Sequence, residues 1–315
     1  MLYRRLGGTG LKVSEISLGS WLTYGGGVEK DTAERTIDQA YDLGVNFFDT
    51  ANVYNLGEAE KVVGKALQKY ARSSYVLATK VFFPIGEKPN DRGLSRKHVT
   101  EQVNASLKRL GLDYVDILYT HRYDPDTPVY ETLRAIDDLI RQGKVLYAGV
   151  SEWTAAQLEE AMRVADKYLL DRIVVNQPQY SMLSRKIEDE ILPVSQKHGI
   201  GQVVFSPLAQ GLLTGKYKSL SDIPEDSRAA SDKMNRFIGR WFNEATFAKI
   251  ARLHKIADDL GIPMTQMALA WVLREDGVSS ALIGASRPEQ VVQNVKASGT
   301  VLDFDTLDAI DDALA

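Results

Sequence analysis

The sequence has 315 residues, 44% of them hydrophobic and 25% charged, which is the balance of a chain able to bury a sizeable core. Its formal net charge of −4 gives no broad positive field for a polyanion, so nucleic-acid binding is disfavoured. The absence of cysteine excludes disulfides, thiolate nucleophiles and zinc–thiolate sites.

Short apolar segments of strand length recur eight times along the chain. Several, such as VNFFDT and IVVNQP, have almost no polar interruption, which is typical of parallel strands covered on both faces. The predicted strands are Glu15–Trp21, Val45–Ala51, Tyr75–Lys80, Val115–His121, Val145–Ser151, Ile173–Gln177, Gln202–Pro207 and Ser280–Ala285.

Segments with helical periodicity separate these strands. In the segment Tyr130–Arg141, Leu133 and Ile136 fall on one face and Arg134 and Asp138 on the other. The other predicted helices are about Thr32–Leu43, Ala59–Tyr70, Arg96–Leu110, Ala155–Tyr168, Ile187–His198 and Thr265–Arg274, with extra ones at about Glu244–Leu260 and Phe304–Ala315.

The alternation of strand and helix predicts an α/β fold, a (β/α)8 TIM barrel, as one domain over residues 1–315. A doubly wound open sheet is less favoured because it usually has about five or six strands. A long polar loop is predicted after the seventh strand, at about Ala209–Asn243, and loops of that length are usually functional.

The sequence shows neither a targeting signal nor a membrane span. The N-terminal residues lack the apolar core of a signal peptide, and no stretch approaches the ~18 apolar residues of a membrane span. We therefore expect a cytoplasmic protein with no membrane insertion.

Polar residues lie at the predicted strand ends, where barrels of this kind build their active sites. Asp49, Lys80 and His121 end three successive strands, and Tyr54 follows Asp49 closely, so we expect the four side chains to converge. A lysine kept charged by an aspartate lowers the pKa of a neighbouring tyrosine from about 10, which prepares Tyr54 to act as a general acid. His121 can orient a carbonyl group by hydrogen bonding.

Taken singly, these residues also fit purely structural roles. A strand-end aspartate often caps a turn, a histidine often packs, and Ser286 alone is an ordinary helix N-cap. Lys80 also fits a Schiff-base aldolase, which stays open as an alternative. The structural roles do not predict convergence of Asp, Lys and His near a Tyr, so we favour catalysis. The charged segment with Arg122, Asp124 and Asp126 is predicted to be a solvated loop without chemistry.

Longer motifs surround these residues: FFDTANVYNLGEAEKVVGKAL, LATK, DILYTH, NQPQYSML, FSPLAQGLLTGKY and LIGASRPEQVVQN. Together they resemble the aldo-keto reductases over essentially the whole chain. Through RGLSRKHV, RYDPDTP, GVSEW and GVSSALIGAS, the sequence is most similar to the beta subunits of voltage-gated potassium channels and their bacterial relatives.

This resemblance implies an NADPH-dependent reductase that converts aldehydes or ketones to alcohols without a metal. It assigns Tyr54 as proton donor, Lys80 and Asp49 as the partners that tune its pKa, and His121 as the group that orients the carbonyl. The channel subunits carry asparagine at the position of His121, so this histidine favours a working enzyme. The alternative is an NADP(H)-binding regulatory subunit with little turnover. Because the channel subunits form fourfold rings, a homo-oligomer is among the assemblies that the resemblance implies.

The resemblance also implies a site for NADPH or NADP, while the glycine fingerprint of a Rossmann unit is absent. Ser151 and Gln177 would hold the nicotinamide carboxamide, and Tyr180 would stack on the ring. Ser286 would open a helix that favours the adenosine 2′-phosphate, joined by Lys216 and Arg228. The full predicted cofactor set is Ser20, Trp21, Asp49, Ser151, Gln177, Tyr180, Ser206, Pro207, Leu208, Gly211, Leu213, Lys216, Arg228, Gly284, Ser286, Arg287, Gln290 and Asn294. The predicted substrate contacts are Trp21, Tyr54, Phe83 and His121.

Overall fold

The core of the fold is a closed barrel of eight parallel strands, seen in a computed structural model that describes residues 1–217, 219–220, 222–223, 230 and 238–315. A hairpin of β1 (Tyr3–Arg5) and β2 (Lys12–Ser14) precedes the barrel. The barrel strands are β3 (Ile16–Gly19), β4 (Phe47–Asp49), β5 (Val76–Val81), β6 (Val115–Thr120), β7 (Val145–Ser151), β8 (Ile173–Gln177), β9 (Gly201–Phe205) and β10 (Val278–Gly284), and β10 pairs with β3 to close the sheet. The predicted fold class and all eight predicted barrel strands are confirmed.

Helices surround the barrel. The α-helices are α1 (Lys30–Asp42), α2 (Glu58–Leu67), α3 (Arg96–Leu110), α4 (Val129–Arg141), α5 (Ala155–Tyr168), α6 (Ile191–His198), α7 (Glu244–Asp259), α8 (Met264–Leu273), α9 (Pro288–Asn294) and α10 (Phe304–Leu314). Short 3-10 helices cover Tyr54–Gly57, Arg72–Ser74, Ala209–Thr214, Gly239–Trp241 and Val295–Ala297. The predicted extra helices are confirmed as α7 and α10, which pack on each other. In the parts of the chain that the structure describes, no helix has the length and apolar character needed to cross a membrane.

The N-terminal hairpin closes the end of the barrel at which the strands begin. Leu6 and Val13 are fully buried in a cluster with residues of the barrel strands, including Phe47 and Val203. Gly7 lies against the start of β9, where an added Cβ would be 2.5 Å from the backbone nitrogen of Gly201. The hairpin was not predicted from the sequence, because a short, largely polar hairpin has no apolar period to detect.

Strand alternation places the polar strand ends above an apolar interior. Phe47, Ala78, Val175 and Val203 belong to the cluster inside the barrel. Side chains two positions apart on a strand point to the same side, so the residues that follow these by two also face the barrel axis. Those residues are Asp49, Lys80, Gln177 and Phe205. The end of the barrel opposite the hairpin therefore carries charged, polar and aromatic side chains.

Candidate active site

The centre of the site is a buried ion pair between Asp49 on β4 and Lys80 on β5. Lys80 is fully buried, and its ammonium donates to Asp49 Oδ1, to the Thr50 carbonyl oxygen at 2.9 Å and to the Tyr54 hydroxyl at 3.3 Å. Asp49 Oδ2 accepts a hydrogen bond of 2.9 Å from Gln177 Nε2, across the barrel on β8. Both charges are therefore paired and hydrogen-bonded, which is the condition for keeping them out of water. The role of Gln177 in holding Asp49 was not predicted from the sequence.

The surroundings of Lys80 argue against the Schiff-base alternative. An amine attacks a carbonyl only when it is neutral and its nitrogen can be approached. Burial lowers the pKa of Lys80, but the attraction of Asp49 opposes this, and the three acceptors around Nζ match the three N–H donors of an ammonium group. Lys80 is held as a donor of hydrogen bonds and not as a nucleophile.

Tyr54 lies on a turn with an unusual backbone. The three residues that follow it, Asn55, Leu56 and Gly57, have φ values of 48°, 51° and 89°, in the left-handed region. Such conformations persist where the surroundings impose them. Arg109 packs on Gly57 so closely that an added Cβ would lie 2.5 Å from Arg109 Cδ. The contact between Arg109 and Gly57 therefore stabilises the turn that directs Tyr54 toward Lys80.

The loop after β3 packs on the same turn from the other side. Gly25 has φ of +84°, and an added Cβ would lie 2.9 Å from the backbone nitrogen of Ala59 at the start of α2. Only glycine combines this conformation with this close approach. The position of the Tyr54 turn therefore depends on Gly25 as well.

The protonation of Tyr54 differs from the prediction. Burial raises the pKa of Tyr54 well above the usual value for tyrosine, and the Asp49 carboxylate raises it further, while Arg122 opposes them. The predicted lowering of this pKa by Lys80 is therefore wrong for the protein alone. Burial of the phenolate raises the pKa by more than the nearby positive charge lowers it. A phenol that keeps its proton at neutral pH remains able to donate it.

His121 lies beside Tyr54, directly after β6. Its side chain is buried, and its ring centroid is 5.6 Å from that of Tyr54 and 4.8 Å from that of Phe83. Burial lowers the pKa of His121 well below the usual value for histidine, and the positive charges of Lys80 and Arg122 lower it further. The imidazole is therefore neutral at physiological pH, and its Nδ1 has no hydrogen-bond partner among the described residues. A neutral, unpartnered ring of this kind can bind a polar ligand atom.

The lowered pKa of His121 predicts a pH-dependent loss of stability. Below about pH 6.5, the unfolded chain binds a proton at this histidine and the folded chain does not, so the free energy of unfolding falls as the pH falls, by up to about 1.4 kcal/mol per pH unit. His121→Gln removes this contribution and leaves all other titrating groups in place. Chemical denaturation between pH 5 and 7 is expected to give a shallower pH slope for the variant. Parallel slopes for the two proteins would contradict the lowered pKa.

The charged segment after β6 is solvated only in part: Asp126 is exposed as predicted, but the prediction is wrong for Asp124 and for half-buried Arg122. Asp124 is buried, and its Oδ2 accepts hydrogen bonds from the Leu94 backbone nitrogen at 2.7 Å and from Thr127 Oγ1 at 2.8 Å. Arg122 Nη1 donates to the His121 carbonyl oxygen at 2.5 Å. The partners of Asp124 include a loop about thirty residues away in sequence, a contact that no local pattern indicates.

Several predicted cofactor residues lie at neighbouring strand ends around the ion pair. Ser151, the last residue of β7, donates to the carbonyl oxygen of Gln177 at 2.9 Å. Ser20 is buried after β3, and its Oγ has no hydrogen-bond partner among the described residues. Trp21, next to it, is half-buried. The structure therefore brings these four residues to the same end of the barrel as Asp49 and Lys80.

Tyr180, predicted to stack on the nicotinamide ring, follows β8 at this end but exposes no ring surface to a ligand. Its ring is fully buried against Trp271, with 5.2 Å between centroids, and its hydroxyl donates to Glu188 Oε1 at 2.5 Å. Phe205 is half-buried at the end of β9 and faces the barrel axis by strand alternation. Phe205 was not predicted as a site residue, although it lies within a predicted strand, two residues after Val203.

The remaining predicted cofactor residues lie on the loops after β9 and β10. These strands pair in parallel, so their loops lie side by side. The loop after β9 carries Ser206, Pro207, Leu208, Gly211, Leu213 and Lys216, and the β10 side carries Gly284, Ser286, Arg287, Gln290 and Asn294. The backbone is left-handed at Ser206 and Gly211, with φ of 52° and 101°, and such strain is common where a loop holds a ligand. The mix of glycine, hydroxyl and lysine groups fits a phosphate-bearing dinucleotide. Arg228 lies outside the described residues.

The prediction that Ser286 begins the helix after β10 is wrong. Ser286 does not open α9, because Arg287 is the N-cap and Pro288 is the first helical residue. The Ser286 backbone nitrogen instead donates to Gln290 Oε1 at 2.8 Å. Proline is favoured at the first position of a helix and has no N–H to offer an anion. The first helical residue therefore contributes no donor to a phosphate.

Residues 15–315 match a family model described as aldo/keto reductase family. The chain belongs to the aldo/keto reductase family. The resemblance read from the motifs is therefore confirmed. Aldo/keto reductases generally bind NAD(P)H. The family match begins at Glu15, directly after β2, so it includes the barrel but not the N-terminal hairpin.

Within the aldo/keto reductase family, the chain is similar to proteins named as channel subunits. A protein of Schizosaccharomyces pombe named putative voltage-gated potassium channel subunit beta is 47% identical over 303 residues, which cover 94% of this chain and 87% of that protein. Proteins of Arabidopsis thaliana and Oryza sativa subsp. japonica named probable voltage-gated potassium channel subunit beta are 45% and 44% identical over 300 residues, covering 94% of this chain and 91% of each protein. The predicted likeness to channel beta subunits is confirmed.

Proposed function

We propose that the chain is an NADPH-dependent reductase that converts aldehydes or ketones to alcohols, with Tyr54 as the proton donor. The observation that carries this proposal is the 3.3 Å contact between the Tyr54 hydroxyl and the Lys80 ammonium, which is paired with Asp49. The chemistry that bound NADPH supplies is hydride transfer to the carbonyl carbon. Reduction also requires a proton for the carbonyl oxygen, and we assign its delivery to Tyr54.

Four residues, which we call the tetrad, have separate roles in that proton transfer: Asp49, Tyr54, Lys80 and His121. Tyr54 gives its proton to the substrate oxygen as negative charge develops there, and the Lys80 ammonium stabilises the phenolate that remains. Asp49 holds Lys80 charged and in position. Neutral His121 hydrogen-bonds the carbonyl oxygen and fixes its distance from Tyr54. The contacts and the protonation states of these four side chains support each role.

For the cofactor, we propose that Ser151 and Gln177 hold the nicotinamide carboxamide and that Phe205 replaces Tyr180 as the aromatic surface beside the ring. Phe205 faces the barrel axis at the same end as the tetrad, whereas Tyr180 is packed in the core. The phosphates would lie along the loops after β9 and β10. A preference for NADPH over NADH would come from Lys216 on the first of these loops.

The proposal is tested by following the absorbance of NADPH with the purified protein and a panel of aldehydes and ketones. We expect NADPH oxidation that depends on both protein and carbonyl compound, and slower oxidation of NADH at equal concentration. Binding of each nucleotide is measured in parallel by quenching of tryptophan fluorescence. Tight NADPH binding without oxidation by any compound of the panel would refute the reductase.

A second candidate is an NADP(H)-binding regulatory subunit with little turnover, which the names of the three relatives favour. Both candidates bind the nucleotide, so binding alone does not separate them. A regulatory subunit needs a partner and does not need His121 or the proton of Tyr54. Co-purification with a membrane protein, together with NADP binding and negligible reduction, would make it the better proposal.

The contact between the loop after β3 and the Tyr54 turn predicts a loss of activity in Gly25→Ala. The new methyl group meets the backbone of α2 and places alanine at positive φ, so the Tyr54 turn must shift. We expect kcat to fall by about tenfold to a hundredfold, since small misplacements of reacting groups have effects of that size. Gly10→Ala is the matched control, because nothing lies within 4 Å of its added Cβ. Equal kcat values for the two variants would show that Gly25 does not position Tyr54.

A further inference from the structure

Arg122 is a cation that contacts two residues of the candidate site, His121 and Ser151. Arg122 Nη1 donates to the His121 carbonyl oxygen at 2.5 Å and lies 3.5 Å from Ser151 Oγ, and the guanidinium carbon is 5.4 Å from the Phe83 ring centroid. The side chain is half-buried. Among the residues that the structure describes, no ion pair involves Arg122, although arginines of comparable exposure such as Arg72 and Arg109 have carboxylate partners.

The carboxylates near this end of the barrel are already engaged. Asp49 is bound to Lys80 and Gln177, and Asp124 accepts hydrogen bonds from its own loop and from Leu94. Glu152 Oε1 accepts from the Gln179 backbone nitrogen at 2.7 Å. Asp124 and Glu152 are bound by backbone and hydroxyl donors, and among the described residues neither forms an ion pair with Arg122. Unlike the Lys80 ammonium, which is paired with Asp49, the Arg122 guanidinium therefore has a positive charge that no carboxylate of the described residues neutralises.

The free edge of the guanidinium group has the geometry of a carboxylate site. Both hydrogen bonds that Arg122 makes to the described residues use Nη1, so Nε and Nη2 are left for a ligand within that part of the chain. These two nitrogens form the edge that binds the two oxygens of a carboxylate in parallel. Phe83, next to Arg122 and His121, offers an apolar surface for the rest of the ligand.

The position of Arg122 in the barrel separates it from the expected phosphates. It follows β6, whereas the loops that would hold the dinucleotide phosphates follow β9 and β10, and β6 is four strands from β10 in either direction around the closed barrel. An anion at Arg122 would therefore come from the molecule that faces Tyr54 and His121. That molecule is the substrate.

We propose that Arg122 binds a carboxylate group of the substrate, so that the preferred substrates are aldehydes bearing a carboxylate. This inference rests on the proposed reductase function. Arg122 acts in recognition and contacts neither the transferred proton nor the carbonyl carbon. It selects the substrate by charge, while the tetrad carries out the chemistry.

The test compares the positional isomers of carboxybenzaldehyde, each with its methyl ester, which keeps the ring and removes the charge. For the isomer that fits best, we expect wild-type kcat/KM to exceed that of the ester by about tenfold to a hundredfold, the effect of one charge-assisted pair. Arg122→Gln is expected to abolish this preference while the rates with the esters stay within a few-fold. Arg122→Lys keeps the charge without the two-pronged edge, so part of the preference should return.

The control variant is Arg96→Gln, which removes an exposed arginine paired with Asp138 and should leave the preference unchanged. Equal kcat/KM for every acid and its ester in the wild type would overturn the inference. Weaker NADPH binding by Arg122→Gln with an unchanged acid preference would assign the arginine to the cofactor and also overturn it.

If no aldehyde is reduced, the reductase proposal fails first, and Arg122 is then tested by binding alone. Calorimetry measures the affinity of benzoate and of its methyl ester for the protein saturated with NADP. Benzoate binding that is lost in Arg122→Gln supports an anion site at this position. Equal binding of benzoate to the wild type and the variant overturns it.

Discussion

Replacing Tyr54 by phenylalanine is expected to lower kcat for carbonyl reduction by about a hundredfold to ten-thousandfold, the usual contribution of a positioned proton donor. The ring keeps its place beside His121, and Lys80 keeps its bonds to Asp49 and to the Thr50 carbonyl oxygen. Only the proton is lost. The measurements are the rate of NADPH oxidation and, separately, the affinity for NADPH, which should change less than a few-fold.

Tyr75→Phe is the matched control for this variant. Tyr75 is buried, and it precedes the start of β5, whereas Lys80 lies near the end of that strand. The same hydroxyl is therefore removed at the opposite end of the barrel, and kcat should stay near the wild-type value. Turnover by Tyr54→Phe at the rate of Tyr75→Phe would rule out Tyr54 as the donor.

Replacing Lys80 by methionine is expected to destabilise the fold as well as to stop reduction. The substitution leaves the Asp49 carboxylate, which is 1% exposed, without its cation. Breaking a buried ion pair in this way costs about 3–5 kcal/mol of the free energy of unfolding. Chemical denaturation measures this loss, and the NADPH assay measures the loss of activity, which follows because no charge remains to stabilise the phenolate of Tyr54.

The double variant Asp49→Asn, Lys80→Met separates the two effects. Removing both charges removes the unpaired carboxylate, so most of the lost stability should return, while activity should stay as low as in the single variant. The wild type and the variant Asp49→Asn complete the thermodynamic cycle. A double variant whose loss of stability equals the sum of the two single losses would show that Asp49 and Lys80 are not energetically coupled.

The barrel and the convergence of Asp49, Tyr54, Lys80 and His121 could be predicted because both depend on local patterns. Eight apolar runs of strand length define the barrel, and the rule that active sites lie at strand ends leads directly to Asp49, Lys80 and His121. Once the strands are placed, the contact of Lys80 with Asp49 requires only that β4 and β5 be neighbours, which the structure shows. The family motifs were needed only to add the cofactor and the reaction.

Other features depend on contacts that are distant in sequence or on burial. Asp124 is held by Leu94 from another loop, so its surroundings were misjudged as solvent. The direction of the Tyr54 pKa shift depends on how much water the folded site admits, and a residue's neighbours in sequence do not give that quantity. The backbone nitrogen of Tyr180 donates to the carbonyl oxygen of Phe205, so the two residues are neighbours in space. The burial of Tyr180 against Trp271, which the sequence does not reveal, favours Phe205 as the aromatic surface for a ligand.

The N-terminal hairpin and the candidate site lie at opposite ends of the barrel. Leu6 and Val13 fill the opening opposite the charged strand ends, so among the described residues the approach for a small molecule is across the loops at the other end. The buried charges therefore lie between an end of the barrel that is closed by apolar packing and the loops that follow the strands.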